Sequence, residues 1–277
     1  MSTSVAPPPA GLNLAGIWAL FERTVAEQVR SWRLLASLGL FALPVAFAGV
    51  LRYFDSPAQP YLPGEAEYAL ILTLIPVGLL PLTSLLFCAG LVQDEVEGQT
   101  LTYLLTRPLP KWSIYAAKLL ATYAVTAVIA ALGVGATYAV VAWGQPDYWA
   151  IGGWGRLLRV EGIFALATLA YCGIFGLLGL MTRRSLVLGV VYILVLEGLV
   201  ANIDFVIRKV TVRYYVRVLT ERAVERLQAA GEMMDLTNAP ETRGCILTLA
   251  GIAAVGIGIG STIFATREFR LKTPEGA

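Results

Sequence analysis

The sequence predicts an all-α integral membrane protein: a bundle of six transmembrane helices, with an amphipathic interfacial helix before the first and a helical outer segment before the last. Of its 277 residues, 57% are hydrophobic and only 14% are charged, and the mean hydropathy is +0.70. Soluble domains carry about 25% charged residues because their surfaces face water. Six stretches of this chain also approach the roughly 20 apolar residues that cross a bilayer.

The same composition excludes several classes of function. There is no histidine, the commonest metal ligand and general base. Cys88, Cys172 and Cys245 lie far apart inside apolar runs, so we expect buried thiols rather than a zinc site or disulfides. A net charge of +2 without a dense basic tract argues against nucleic acid as a partner. The sequence therefore predicts no catalytic residue and no metal ligand.

The chain begins with a proline-rich lead over residues 1–10, which lacks the basic and apolar regions of a signal peptide. We predict that this lead is disordered and cytoplasmic. From about residue 13 to 32, apolar residues recur at steps of three and four, with charged residues between them. They are Leu14, Ile17, Trp18, Phe21, Val25, Val29 and Trp32. This stripe indicates a helix that lies in the cytoplasmic interface.

Six predicted spans follow within a single transmembrane domain of residues 1–277. Their approximate ranges are 34–51, 68–92, 114–143, 162–182, 185–203 and 245–266. Prolines at 44, 76 and 81 are expected to kink their spans, because proline cannot continue the hydrogen-bond ladder. Glycines at 173, 176 and 179, and the pair at 256 and 260, are expected to allow close contact between helices.

An even number of spans places both termini on one side, and the distribution of basic residues indicates which side. With the termini in the cytoplasm, eleven basic residues lie inside and three in the short outer loops. The inner ones are Arg23, Arg30, Arg33, Arg107, Lys111, Lys118, Arg183, Arg184, Arg267, Arg270 and Lys272, and the outer ones are Arg52, Arg156 and Arg159. The other seven lie in the outer segment, residues 204–244, where charges mix with apolar residues and short helices are favoured.

The loop between the second and third spans carries the most information. Acidic residues open it, where a helix N-terminus favours negative charge, and Pro108 and Pro110 end the helix. Leu101, Leu104 and Leu105 share one face of that helix. Two interpretations stay open on these residues alone: a rigid cytoplasmic helix that transmits a push from a soluble partner into both spans, or a solvated turn with ordinary interfacial charges.

The stretch from Glu97 to Lys118 resembles the signature of type-2 ABC transporter permeases, the exporter-like membrane subunits. That signature contains an acid and a glycine, a Thr-Leu pair, a leucine pair, a proline and two basic residues. Here these are Glu97, Gly98, Thr100, Leu101, Leu104, Leu105, Pro108, Lys111 and Lys118. Gln99 is an extra residue after the glycine, and Ala117 stands where a glycine often precedes the lysine. The layout of six spans with a cytoplasmic N-terminus is similar as well.

The resemblance implies that the loop helix is a coupling helix that docks on an ATP-binding subunit made as a separate chain. The residues expected to couple are Asp94, Glu95, Glu97, Thr100, Leu101, Leu104 and Arg107. The chain has no glycine-rich loop ending in Lys-Ser or Lys-Thr that would cradle phosphates, so ATP is expected on the partner and no cofactor in this chain. The resemblance also implies a plasma-membrane exporter that works as a homodimer or heterodimer in contact with membrane lipid.

Glu197 is the one ionisable residue well inside a predicted span. An acid at that depth indicates a polar cavity or translocation path, and a carboxyl bonded to a neighbouring helix is the alternative. One carboxylate cannot form a catalytic dyad, so an intramembrane enzyme is the weaker rival to a transporter. A non-transporting membrane scaffold is a further alternative. The sequence does not select a substrate.

Overall fold

The computed structural model describes residues 14–54, 66–91, 110–182, 184–199, 209–224 and 239–266, and every regular element in these ranges is helical. The helices are α1 Leu14–Val29, α2 Trp32–Tyr53, α3 Glu67–Cys88, α4 Lys111–Val141, α5 Trp154–Met181, α6 Ser185–Leu199, α7 Val212–Ala223 and α8 Thr242–Thr266. Two short helical turns, Pro146–Tyr148 and Trp149–Gly153, lead from α4 into α5. The predicted all-α class is confirmed for this part of the chain.

Five of these helices, α2, α3, α4, α5 and α8, are long and apolar enough to cross a membrane. The predicted span at 185–203 corresponds to α6, a shorter apolar helix. At about 1.5 Å per residue it covers roughly 22 Å, less than the roughly 30 Å of a hydrocarbon core. Residues 200–203 lie outside the described ranges, so the count of six spans stays a prediction.

Helix α3 is wound as a π-helix from Glu67 to Leu79 and as an α-helix from Leu80 to Cys88. Pro76 lies inside the π-helical part, and the N–H of Leu80 donates to the carbonyl of Ile75. Proline lacks an N–H and crowds the carbonyl four residues before it, so the wider turn fits the chain around Pro76. Pro44, by contrast, lies within an uninterrupted α-helix.

Helix α5 lies at the centre of the bundle and packs against α3, α4, α6, α7 and α8. Its contact with α8 is close because Gly256 faces Gly173: a Cβ on Gly256 would lie 2.7 Å from the carbonyl carbon of Gly173. A Cβ on Gly179 would lie 3.1 Å from the carbonyl oxygen of Ala89, at the end of α3. The predicted role of these glycines in helix packing is confirmed.

The outward faces of the peripheral helices are apolar. Helix α2 exposes Leu35, Leu43 and Phe47, and α8 exposes Leu247 and Val255. Hydrophobic side chains in such numbers on the outside of a helical bundle are suited to lipid rather than water. The three cysteines are buried and unpaired, as the sequence predicts.

Helix α1 packs along α4, with Leu20 and Thr24 buried and Leu14 and Trp18 exposed. A helix is therefore present where the sequence predicts one over residues 13–32. Its position in a membrane interface stays a prediction. Within the segment predicted to lie outside, α7 is a helix, as expected, and Thr211 accepts a hydrogen bond from the N–H of Tyr214 at its N-terminus.

Candidate functional site

The predicted coupling residues lie within 92–109, outside the residues that the structure describes. They are Asp94, Glu95, Glu97, Thr100, Leu101, Leu104 and Arg107. The structure does describe the two points at which this segment joins the bundle, Leu91 after α3 and Pro110 before α4. The surroundings of these two points are therefore the observable part of the candidate coupling site.

Leu91, and Ile114 four residues after Pro110, belong to a compact hydrophobic cluster that we call the inner platform. Its buried members are Leu20, Leu91, Ile114, Tyr115, Ala117, Leu119, Leu180 and Phe264. They come from α1, α4, α5 and α8 and from the turn that follows α3. The predicted coupling segment thus leaves and rejoins the bundle where the ends of several helices pack on one another.

Polar contacts at the same end of the bundle connect further elements. The Gln28 side-chain amide of α1 donates to the Thr122 hydroxyl of α4 at 2.6 Å. The Ser185 hydroxyl, at the first residue of α6, donates to the carbonyl of Ala89 at 2.9 Å. The end of α3 is therefore joined to α6 by this hydrogen bond, and it lies close to α5 at Gly179.

Glu197, predicted as a residue of a translocation path, is fully buried and bonded to α7. Its carboxylate accepts the backbone N–H groups of Val212 at 3.2 Å and Arg213 at 3.0 Å, and the Tyr192 hydroxyl at 3.4 Å. The first N–H groups of a helix have no partner within the helix and favour a negative charge. The arrangement matches the alternative of a carboxyl bonded to a neighbouring helix, and a role in a path stays a prediction.

A second buried acid, Glu67, lies at the opposite end of the bundle from the inner platform. Its carboxylate accepts hydrogen bonds from the hydroxyls of Tyr138 at 2.8 Å and Tyr148 at 2.6 Å, and from the Arg156 guanidinium at 2.9 Å. Arg156 also lies over the Tyr148 ring, 5.1 Å from its centroid. Burial, and then the charge of Glu67, raises the pKa of Tyr148, which keeps its hydroxyl protonated as a donor.

This cluster joins the start of α3, the end of α4, the short turn after α4 and the start of α5. Sequence reasoning missed it because Glu67 lies one residue outside the predicted span, as an ordinary boundary acid would. The available signals were the Glu67 carboxyl next to a long uncharged run and the Arg156 side chain in a predicted outer loop. The spacing of Glu67 and Arg156 in the sequence does not indicate that their side chains form an ion pair. Within the described ranges, no group of three acidic or cysteine side chains is arranged to hold a metal ion.

Comparison with known protein families identifies a family to which the chain is similar. The model of the family described as ABC-2 family transporter protein matches residues 18–216, which extend from α1 into α7 and include the predicted coupling segment. No curated protein matches the chain. Because the family match covers well over half of the 277 residues, the chain belongs to the ABC-2 transporter permease family and is a multi-pass membrane component of a transport system.

Proposed function

We propose that this chain is the permease subunit of an ATP-driven exporter and that a separate ATP-binding subunit docks on residues 94–107. The family match over residues 18–216 is the observation that carries the proposal. The packing of the inner platform supports it, because a segment that transmits force needs both of its ends held by the elements that move. Its flanks, Leu91 and Ile114, are members of the same buried cluster.

In the proposed mechanism, closure of the ATP-binding subunits displaces the segment and moves the inner ends of α3 and α4 together. The displacement passes to α5 through the contact of Gly179 with Ala89, and to α6 through Ser185. Close-packed helix ends transmit such a shift rather than absorb it, since protein interiors have few voids. The bundle would then alternate between inward-facing and outward-facing arrangements.

The assembly that we propose contains two permease chains, either identical or of two kinds, and two ATP-binding subunits in the plasma membrane. Both termini of the chain lie in the cytoplasm, as the distribution of basic residues favours. ATP is bound by the partner subunits, and this chain carries no cofactor. Apolar faces on α2 and α8 are available for lipid or for a second permease.

Affinity purification of the tagged chain from its native membranes tests the proposal. We expect an ATP-binding protein to co-purify with the unaltered chain, and the double variant Glu95→Lys/Glu97→Lys to lose it while reaching the same level in the membrane. Glu241→Lys is the matched control, because Glu241 is an exposed acid in the segment predicted to face outside. Retention of the ATP-binding protein by the double variant would contradict the coupling assignment.

A further inference from the structure

A cavity of about 190 Å³ lies between the π-helical part of α3 and helix α7. Its α3 side includes Leu72, Pro76 and Val77, which we call the apolar wall, together with Tyr68 and Thr73. Leu72 and Pro76 in its lining are buried, whereas Thr73, also in its lining, is exposed. One water takes up about 30 Å³ in the liquid, so the cavity has room for about six waters or for one group the size of a phosphate.

The α7 wall of the cavity is charged. Arg213, Arg217 and Glu221 recur every four residues and all three line the cavity, while other faces of α7 are buried and largely apolar. Arg217 donates to the Glu221 carboxylate at 2.7 Å. A guanidinium nitrogen of Arg213 donates to the main-chain carbonyl of Glu197 at 2.9 Å, which is a neutral acceptor.

The charges of this wall do not balance. Two guanidinium groups and one carboxylate line the cavity, and like charges four residues apart on a helix repel each other. Burial, and then the charge of Arg217, lowers the pKa of Arg213. The nearby Glu197 carboxylate acts on the pKa of Arg213 in the opposite direction, but it faces the N–H groups that start α7, whose positive end offsets part of its charge. The lining therefore keeps an excess of positive charge next to an apolar wall.

We propose that this cavity binds the anionic phosphate head group of a membrane phospholipid. The phosphate lies against Arg213 and Arg217, and the glycerol and first acyl carbons lie along the apolar wall of α3. Guanidinium groups bind phosphate through charge-assisted hydrogen bonds. A free anion would gain nothing from Leu72, Pro76 and Val77, whereas a lipid buries apolar surface there.

The surface around the opening supports a lipid as the source of the phosphate. Thr73 in the cavity lining is followed by Leu74, which is 42% exposed on a helix that is long and apolar enough to span the membrane. A lipid lying beside α3 would reach the cavity with its head group without leaving the bilayer. The site belongs to this chain alone and does not depend on the proposed coupling to an ATP-binding subunit.

The proposal is tested by native mass spectrometry of the full chain in mild detergent. The chain is titrated with phosphatidylglycerol or with phosphatidylcholine of the same acyl chains, and the affinity for each lipid is measured. We expect phosphatidylglycerol to bind about tenfold more tightly or better, the effect of a charge-assisted contact. Arg217→Gln should remove most of that preference. Arg222→Gln, the matched control, removes the same charge from a side chain that bonds Thr242 outside the cavity and should leave the preference unchanged.

Glu221→Gln makes the test independent of folding defects. It removes the carboxylate that accepts the hydrogen bond of Arg217, so phosphatidylglycerol should bind more tightly. A misfolded variant would not show such a gain in affinity. The proposal is overturned if both lipids bind equally, if Arg222→Gln weakens binding as much as Arg217→Gln, or if Glu221→Gln weakens it. Displacement of the lipid by an equal concentration of inorganic phosphate would overturn the assignment to a lipid.

Discussion

The contact between α5 and α8 makes a quantitative prediction about Gly256. In Gly256→Ala the new Cβ would lie 2.7 Å from the carbonyl carbon and oxygen of Gly173, and ordinary van der Waals contact begins at 3.4 Å. The obstacle is backbone, which has no alternative rotamer, so the two helices must separate by about 0.7 Å at this point. Such overpacking costs typically about 1–3 kcal/mol of stability.

Gly258→Ala is the matched control, because a Cβ at Gly258 meets no atom within 4 Å. Replacing glycine by alanine in a helix also stabilises it by up to about 1 kcal/mol, and this gain applies to both variants. The difference between the two variants therefore isolates the cost of the contact. It corresponds to roughly 2–10 °C in Tm for a protein of this size.

The assay is the loss of the monodisperse peak in size-exclusion chromatography after heating the purified chain in detergent. We expect Gly258→Ala to melt at or above the temperature of the unaltered chain and Gly256→Ala to melt below it. Equal melting temperatures for the two variants would refute the reasoning, because they would mean that α5 and α8 do not approach closely enough for a methyl group to separate them.

Other contacts give predictions of the same kind. Arg156→Gln leaves the carboxylate of Glu67 buried without its cation, so we expect a loss of up to about 3–5 kcal/mol by thermal melting, largely restored when Glu67→Gln is added. Glu197→Ala removes the acceptor of two backbone N–H groups, and amide hydrogen exchange should accelerate at the start of α7, whereas unchanged exchange there would contradict the capping role. Gln28→Ala removes the hydrogen bond from α1 to Thr122 and should lower stability by about 1 kcal/mol. Gln28→Glu, which has no amide N–H to donate, should be destabilised as well, and a variant as stable as the unaltered chain would contradict this role of the amide.

The sequence predicted the helices well because their signal is local. An uncharged run of about 20 residues identifies a spanning helix without knowledge of its neighbours. The predicted bounds lie within a few residues of the observed ones for α2, α3, α4 and α8. Helix α5 starts eight residues before its predicted start. The glycines at 173 and 256 were also predicted to pack, since small residues in a transmembrane helix mark close contacts. The structure adds that these two face each other.

What the sequence could not supply is the pairing of polar residues that lie far apart in the chain. Glu67 meets Tyr138 and Arg156 only after three helices have assembled, and no periodicity encodes that meeting. Glu197 was noticed because charge inside a span is rare, but its backbone partners are the N–H groups that start α7, fifteen and sixteen residues further on. The sequence located the unusual carboxyl, and only the fold shows which N–H groups it satisfies.

The two ends of the bundle are held together by different kinds of contact, and this difference bears on the proposed mechanism. At the inner platform, apolar side chains from several helices pack together, beside the hydrogen bonds of Gln28 and Ser185. The apolar contacts are non-directional, so they allow helices to shift by small steps. At the opposite end, Glu67 fixes α3 to α4 and α5 through directional hydrogen bonds to one buried carboxylate, which are costly to break singly. In the proposed mechanism, a force applied at residues 94–107 would therefore turn α3 about its Glu67 end rather than slide it along the bundle. The π-helical stretch between these two points, with its wider turns around Pro76, is the part of α3 that would bend.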